Sequence, residues 1–344
     1  MSRDALVGRR RTRPSPLGVI ALTLALWAGG ATLIHAQTPD KPVLAAAMSA
    51  SAERLATTHF GGTLTLWDTR TLAPLASWTH SGGLSSLAVA PDAQTVAVAG
   101  PTPAPIALYG PRGEARGELA GPKGRVDALA FSPDGDLLAI AGAPQLPAGD
   151  SDKDARRYGP AVVLLHATSA NPGAPPRATI PLGQTRVTGL AVLAEFIAVL
   201  TYDGQLTLYA RSPEHAARVS HDLGRRGHAL AVSPDGRRLA VVIDDRVMIV
   251  GDARPRLLPT TAPAQPAHVA WSPDASRVIV TGHEEVVTMP LAGDLVERLP
   301  CQGDTANPVA AWIGAGRRWV VGGRLVLIRA VAEGSDKEIA RVAL

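Results

Sequence analysis

The sequence predicts an all-β chain: a β-propeller of seven four-stranded antiparallel blades. Three observations predict it. A hairpin pattern, VDALAFSPDGDLLAIA from Val126 to Ala141, returns with variations along the chain. In it Leu129 and Phe131 alternate with small residues, Ser132-Pro133-Asp134-Gly135 turns the chain, and Leu137–Ile140 forms a second apolar strand. Proline presets φ near −65° and glycine takes φ > 0, so the reversal is unstrained. Second, seven passes of this plan begin near Val43, Ser85, Asp127, Thr188, His228, Ala267 and Asn307, at spacings of 42, 42, 61, 40, 39 and 40 residues. That is the period of a four-stranded blade, the long interval being one blade plus an insertion. Third, each pass holds four segments: two apolar strands, an alternating strand and a more polar strand. One such unit cannot bury its own faces, so the repeats must pack on one another.

Taken in order, residues 1–36 read as a signal peptide or N-terminal membrane anchor. Arg3, Arg9, Arg10, Arg11 and Arg13 precede an apolar run, Leu17–Ile34, and Ile34-His35-Ala36-Gln37 supplies a small residue before a cut. An uncleaved run of that length would reach across a bilayer. Either way the arginines stay cytoplasmic and the body is exported, to the periplasm or held at the inner membrane facing it. The whole chain carries a net charge of +4. The leader accounts for all of it, so the body is neutral and the basic character gives no reason to expect nucleic acid. Residues 37–42 form a linker and 43–344 the propeller, with a loop insertion at about 143–160.

The first-strand turn recurs as Ala90-Pro91-Asp92-Ala93, Ser233-Pro234-Asp235-Gly236 and Ser272-Pro273-Asp274-Ala275, and Asp203-Gly204 and Asp244-Asp245 occupy second turns. In the first pass Thr63–Asp68 ends in Trp67-Asp68, and Thr79-His80 leads into the second pass. These residues resemble the WD40 family of β-propellers in its Trp-Asp and Gly-His positions, with threonine for glycine before His80. The resemblance covers roughly 43–344 and rests on period more than motif. It implies blades packed face to face, a structural hydrogen bond from His80 at a blade junction, and a protein or peptide partner. Alternation places Leu129, Phe131, Val232, Trp271 and Trp312 between blades. Polar fourth strands, such as Ala76–Trp78, Gly117–Leu119 and Ala217–Ser220, make the outer rim. The last pass carries its own fourth strand, Ile339–Val342, so the ring closes by packing of first against last blade.

Candidates for chemistry are few. Asp150, Asp152 and Asp154 have the alternate spacing of calcium ligands, but Ala155 stands where glycine is needed and Ala161 where the twelfth-position glutamate belongs. They read as a solvated loop, and no metal or other cofactor is expected. Histidines are scattered without zinc spacing. The only cysteine, Cys301, excludes an intrachain disulfide. Nucleophile-elbow, haem and phosphate-loop motifs do not occur. Lys123, Arg125, Arg186, Arg225 and Arg226 all precede first strands, which gathers them on one face of a propeller. Asp203, Asp244, Glu284 and Glu285 come from second turns opening on that same face. The expectation is a non-catalytic interaction scaffold that uses this face. The alternative is a lactonase-type hydrolase with Asp203, Asp244 and His268 at the central channel.

Overall fold

The computed structural model describes residues 43–343 apart from 50–52, 60, 70, 72, 81–83, 85, 101–104, 148–157, 170–172, 212–214, 252–253, 294–295, 301–308, 314–316, 323–324 and 333–334. From 309 to 343 it describes the backbone and, of the side chains, that of Trp312. Leader, linker, the three insertion aspartates and Cys301 lie outside the described residues. Among those described, no helix is long and apolar enough to cross a membrane.

Strands run in sequence order through every sheet. The first holds β1–β4 (Val43–Met48, Arg54–His59, Thr63–Asp68, Pro74–Thr79) and the second β5–β8 (Ser86–Val89, Val96–Ala99, Ile106–Tyr109, Ala115–Leu119). The third holds β9–β12 (Gly124–Phe131, Leu137–Pro144, Ala161–Ala167, Ala178–Gly183) and the fourth β13–β16 (Val187–Val192, Phe196–Thr201, Gln205–Ala210, Ala217–Asp222). Next come β17–β20 (Gly227–Val232, Leu239–Ile243, Arg246–Val250, Arg256–Thr261) and β21–β24 (His268–Trp271, Arg277–Thr281, Glu285–Pro290, Glu297–Pro300). A terminal sheet, β25–β28 (Val309–Ile313, Arg317–Gly322, Leu325–Ala332, Ser335–Ala343), has the same meander order, and β1 lies against β25 and β26.

The expectation of a seven-bladed propeller needs correction: the propeller has six four-stranded antiparallel blades. Six blades, Val43 to Pro300, have described cores; the terminal sheet is defined by backbone pairing, with Trp312 its one described side chain. Period counting registers passes of the chain and does not by itself fix how many of them are blades. The last pass indeed lacks the Ser-Pro-Asp turn, having Gly314-Ala315-Gly316 instead.

Second strands are apolar on both faces because a blade packs on each side of them. Leu138–Ala141, Ile197–Leu200 and Ala240–Val242 are all essentially inaccessible, and each large side chain so buried contributes roughly 1.5–3 kcal/mol. Between the fifth and sixth blades Val242, Val247 and Ile249 meet Trp271, Val280 and Met289. Trp271 Nε1 donates to Ala231 O at 3.0 Å, and the Arg238 guanidinium lies 5.1 Å from its ring centroid. Trp271 and Trp312 are buried, whereas Leu129, Phe131 and Val232 are half-buried at the edges of their interblade clusters.

The Ser-Pro-Asp turns are locked in one way. Ser132 Oγ donates to Asp134 and accepts Leu137 N at 2.9 Å; Gly135 N returns to Ser132 O at 2.9 Å. Ser233/Asp235 and Ser272/Asp274 repeat the arrangement. The fourth turn residue sits at φ 75° in Gly135 and 70° in Gly236, but alanine holds the same place at φ 58° in Ala93 and 55° in Ala275.

Candidate functional site: the first-strand face

First strands begin on the face onto which the second turns open, as backbone hydrogen bonds show: Tyr202 N to Arg186 O at 2.8 Å, Asp244 N to Arg226 O at 2.9 Å and Gln145 N to Lys123 O at 3.3 Å. Each of β9, β13 and β17 carries a bulge near its start, between Val126 and Ala128, Val187 and Gly189, and Gly227 and Ala229. The bulged residues are Asp127, Thr188 and His228. A bulge re-aims the extra side chain and bends the strand end, which here sets polar groups at the entrance in three consecutive blades.

Asp127 organises the third and fourth blades. Its side chain is 2% exposed and accepts Arg125 Nε at 2.6 Å and Nη2 at 3.1 Å, with Val187 N at 3.4 Å and Arg186 Nε at 3.8 Å. The Arg125 guanidinium also lies 4.8 Å over the Tyr158 ring, where the far end of the insertion rejoins through a bridge between Tyr158 and Gln145. Arg186 is 67% exposed, and Lys123 is exposed at φ 56°. In the next blade Arg225 stands 3.7 Å from both Asp244 and Asp245, a loose arrangement that leaves the guanidinium 54% exposed. Arg226 lies 5.4 Å over Tyr202, an exposed aromatic in the second turn of the fourth blade.

Of the five basic residues expected on this face, Arg125 and Arg186 converge on Asp127, Arg225 lies between Asp244 and Asp245, Arg226 lies over Tyr202, and Lys123 is exposed. Among the described residues Asp203 pairs with no base: it accepts hydrogen bonds from Thr201 and from Thr185 Oγ1 (2.8 Å), which hold its carboxyl below the usual range. Glu285 takes Arg298 at 2.7 Å, and Glu284 borders a shallow hollow of about 410 Å³ beside it. Sequence reasoning missed Asp127, Tyr158 and Tyr202. Asp127 was legible as the polar residue opening a pass, at the position of Thr188 and His228; Tyr202 as an aromatic in a Tyr-Asp-Gly turn. Nothing in the sequence tied Tyr158 to Arg125.

Geometry does not unite Asp203, Asp244 and His268, which belong to three blades and share no hydrogen bond or ion pair. Burial lowers the His228 imidazole and pushes His268 down to about 4, and His268 Nδ1 is buried without a partner among the described residues. Among the described residues no group of three or more His, Cys, Asp or Glu is placed to hold a metal ion.

The Trp-Asp blade is built as a buried chain: Trp67 Nε1 donates to Thr57 Oγ1 at 2.9 Å, which lies 3.1 Å from His59 Nε2. His80 reaches into the next blade, its Nδ1 2.9 Å from Tyr109 Oη, the junction bond that the resemblance implied. The WD domain, G-beta repeat model matches residues 113–151, which span β8, the outer strand of the second blade, and β9–β10 of the third, and not the Trp-Asp pass. The chain is a β-propeller, one stretch of which is similar to the WD40 repeat. Its fold is similar to the crystal structure of Hsv2 from Kluyvelomyces marxianus, with a TM-score of 0.66 and 12% identity over 88% of this chain and 98% of that one. At that identity the likeness shows the fold alone, and 1665 chains of solved structures resemble this propeller, so architecture does not select an activity. No curated protein matches the sequence.

Proposed function

We propose that this WD40-like propeller is an exported, non-catalytic scaffold that binds a protein or peptide through its first-strand face. Lys123, Arg125, Arg186, Arg225 and Arg226, with Tyr202, make up the docking surface. One observation carries the reading: Arg186 and Arg225 are more than half exposed and held only by carboxylates 3.7–3.8 Å away, while exposed Tyr202 stands against Arg226. Arginine and tyrosine are the residues that anchor protein interfaces, and loosely paired guanidinium groups can turn to a partner's carboxylates at little cost. WD40 propellers bind proteins or peptides in general, which agrees with this use of the face.

A photo-crosslinking residue at position 186, and in a parallel sample at Arg211 on the opposite face, tests the assignment in the native envelope. A defined adduct from position 186, absent from 211 and reduced by Arg225→Glu, supports it. Adducts of equal yield from both faces, or a yield unaffected by Arg225→Glu at unchanged melting temperature, refute it. Export is tested separately by the N-terminus of the purified protein: Gln37 indicates cleavage, and Met1 or Ser2 on membrane-bound protein indicates the retained anchor.

A further inference from the structure

The repeats allow one position to be compared between blades. In the second blade Tyr109 pairs with Val96 on β6 and with Ala115 on β8; in the fourth Tyr209 pairs with Ile197 on β14 and with Ala217 on β16. The register slips at the next pair, since Leu108 faces Gly117 and Leu208 faces Val219. Arg116 and Arg218 are therefore the extra residues of equivalent bulges, and a bulge re-aims its extra side chain. β4 has the same bulge with Leu75 as its extra residue, so the bulge itself does not require arginine.

The two arginines meet different surroundings. Arg116 is neutralised within its own blade, donating to Thr95 Oγ1 at 3.0 Å and to Glu114 Oε1 at 3.5 Å. The fourth blade has Phe196 where Thr95 stands and Ala216 where Glu114 stands. Arg218 accordingly has no side-chain partner among the described residues, and it borders an open hollow of about 530 Å³ together with half-buried Phe196, exposed Glu195 and Arg211. That volume lies in the range of small-molecule sites. Arg211 is already committed to Asp134 at 2.7 Å. The Glu195 carboxylate also has no partner among the described residues and makes no ion pair with Arg218. The hollow thus offers a free guanidinium, an aromatic ring and a free carboxylate.

We infer that this hollow binds a dipeptide with an aromatic C-terminal residue, its carboxylate on Arg218, its ring against Phe196 and its ammonium group beside Glu195. The planar guanidinium accepts a carboxylate in two parallel charge-assisted hydrogen bonds, and paired aromatic rings add to the area they bury. A free amino acid carries both charges on one carbon, whereas Arg218 and Glu195 face one hollow without meeting. A dipeptide holds its charges further apart. The site uses neither the first-strand face nor its arginines, so it stands or falls independently of docking there.

Titration calorimetry of the full chain with alanyl-phenylalanine tests the inference, with the C-terminal amide and the N-acetyl form of the same dipeptide as comparisons. One equivalent should bind with a Kd of about 1 mM or tighter, and each blocked form should bind at least tenfold more weakly. Arg218→Ala should weaken binding at least tenfold. Ala216→Glu restores the carboxylate that Arg116 has in the second blade, ties up Arg218 within the blade and should have the same effect. Both positions are exposed, so melting temperatures should stay at the parent value. No binding of the dipeptide, equal binding of either blocked form, or binding indifferent to Arg218→Ala or to Ala216→Glu would overturn the proposal.

Discussion

Removing the buried carboxylate of Asp127 tests whether the basic face is set from within the blade junction. The carboxylate is 2% exposed and takes two short hydrogen bonds from Arg125, itself 27% exposed, while Arg186 is 67% exposed at 3.8 Å. Charge-assisted hydrogen bonds contribute about 1.5–3 kcal/mol each, and exposed pairs about 0–1. Against the two bonds stands the desolvation that Asp127→Ala relieves, and Arg125 keeps its contact with Tyr158, about 0.5–1 kcal/mol. The expected loss is therefore about 2–3 kcal/mol, nearly all of it routed through Arg125. Guanidinium unfolding followed by circular dichroism, in double-mutant cycles, separates the two arginines. Coupling of Asp127→Ala with Arg125→Ala should reach about 2 kcal/mol, and with Arg186→Ala less than about 0.5. Equal couplings, or an Asp127→Ala protein as stable as the parent, would refute the assignment of Asp127 as the fixed centre and Arg186 as the free arm.

Two further expectations concern pH and the turns. Burial holds His268 neutral down to about 4 against an unfolded value of 6.5, so the unfolded chain binds the extra proton first and stability falls from pH 6.5 towards 4. The drop is on the order of 2 kcal/mol, and in denaturation midpoints His268→Gln should flatten that part of the profile. Asp134 and Asp274, lowered to about 2 chiefly by Ser132 and Ser272, contribute stability that is complete above pH 4 and lost towards pH 2, and solvent screening keeps each below about 1 kcal/mol. A Cβ at Gly236 would meet nothing within 4 Å but sit at φ 70°, whereas at Gly204 it would stand 1.9 Å from Arg225 O. Gly236→Ala should cost about 1 kcal/mol, a melting shift of about 2–4 °C, and Gly204→Ala more than about 3 kcal/mol; reversal of that order would show that the two turns are not built as described.

The blades were legible because their signals are local. Ser132, Pro133, Asp134 and Gly135 fix a turn by chemistry within six residues, and the same signature recurs at Ser233 and Ser272. Strand order followed from the period, and so did the shared face of Arg186, Arg225 and the second turns. What the sequence did not disclose depends on register. Whether Asp127 points into a junction or into solvent is decided by the one-residue bulge between Val126 and Ala128, and no local signal marks that slip. Tyr158 meets Arg125 across an insertion whose length carries no geometric information. His59, which reads as one of several scattered histidines, is fully buried beside Thr57 and Trp67, because alternation puts residues two apart on one strand on the same side.

The two faces of the ring differ in how they hold their most exposed arginines, and this difference supports the proposed docking face. On the Ser-Pro-Asp face the carboxylates are consumed internally: Asp134 takes Ser132, the Asp136 amide and Arg211, and Asp274 takes Ser272 and two donors of Ser276. A partner arriving there would have to displace short bonds that the turn itself needs. On the first-strand face the backbone is equally rigid, since Gly204 and Gly227 admit contacts with Arg225 O and Thr201 O that no side chain would allow, but the guanidinium groups of Arg186 and Arg225 are held only at 3.7–3.8 Å. A rigid frame with loosely held charged ends loses little conformational entropy on binding and breaks no short hydrogen bond to do so. That combination is the physical ground on which the proposed docking surface is placed on the first-strand face and not on the Ser-Pro-Asp face.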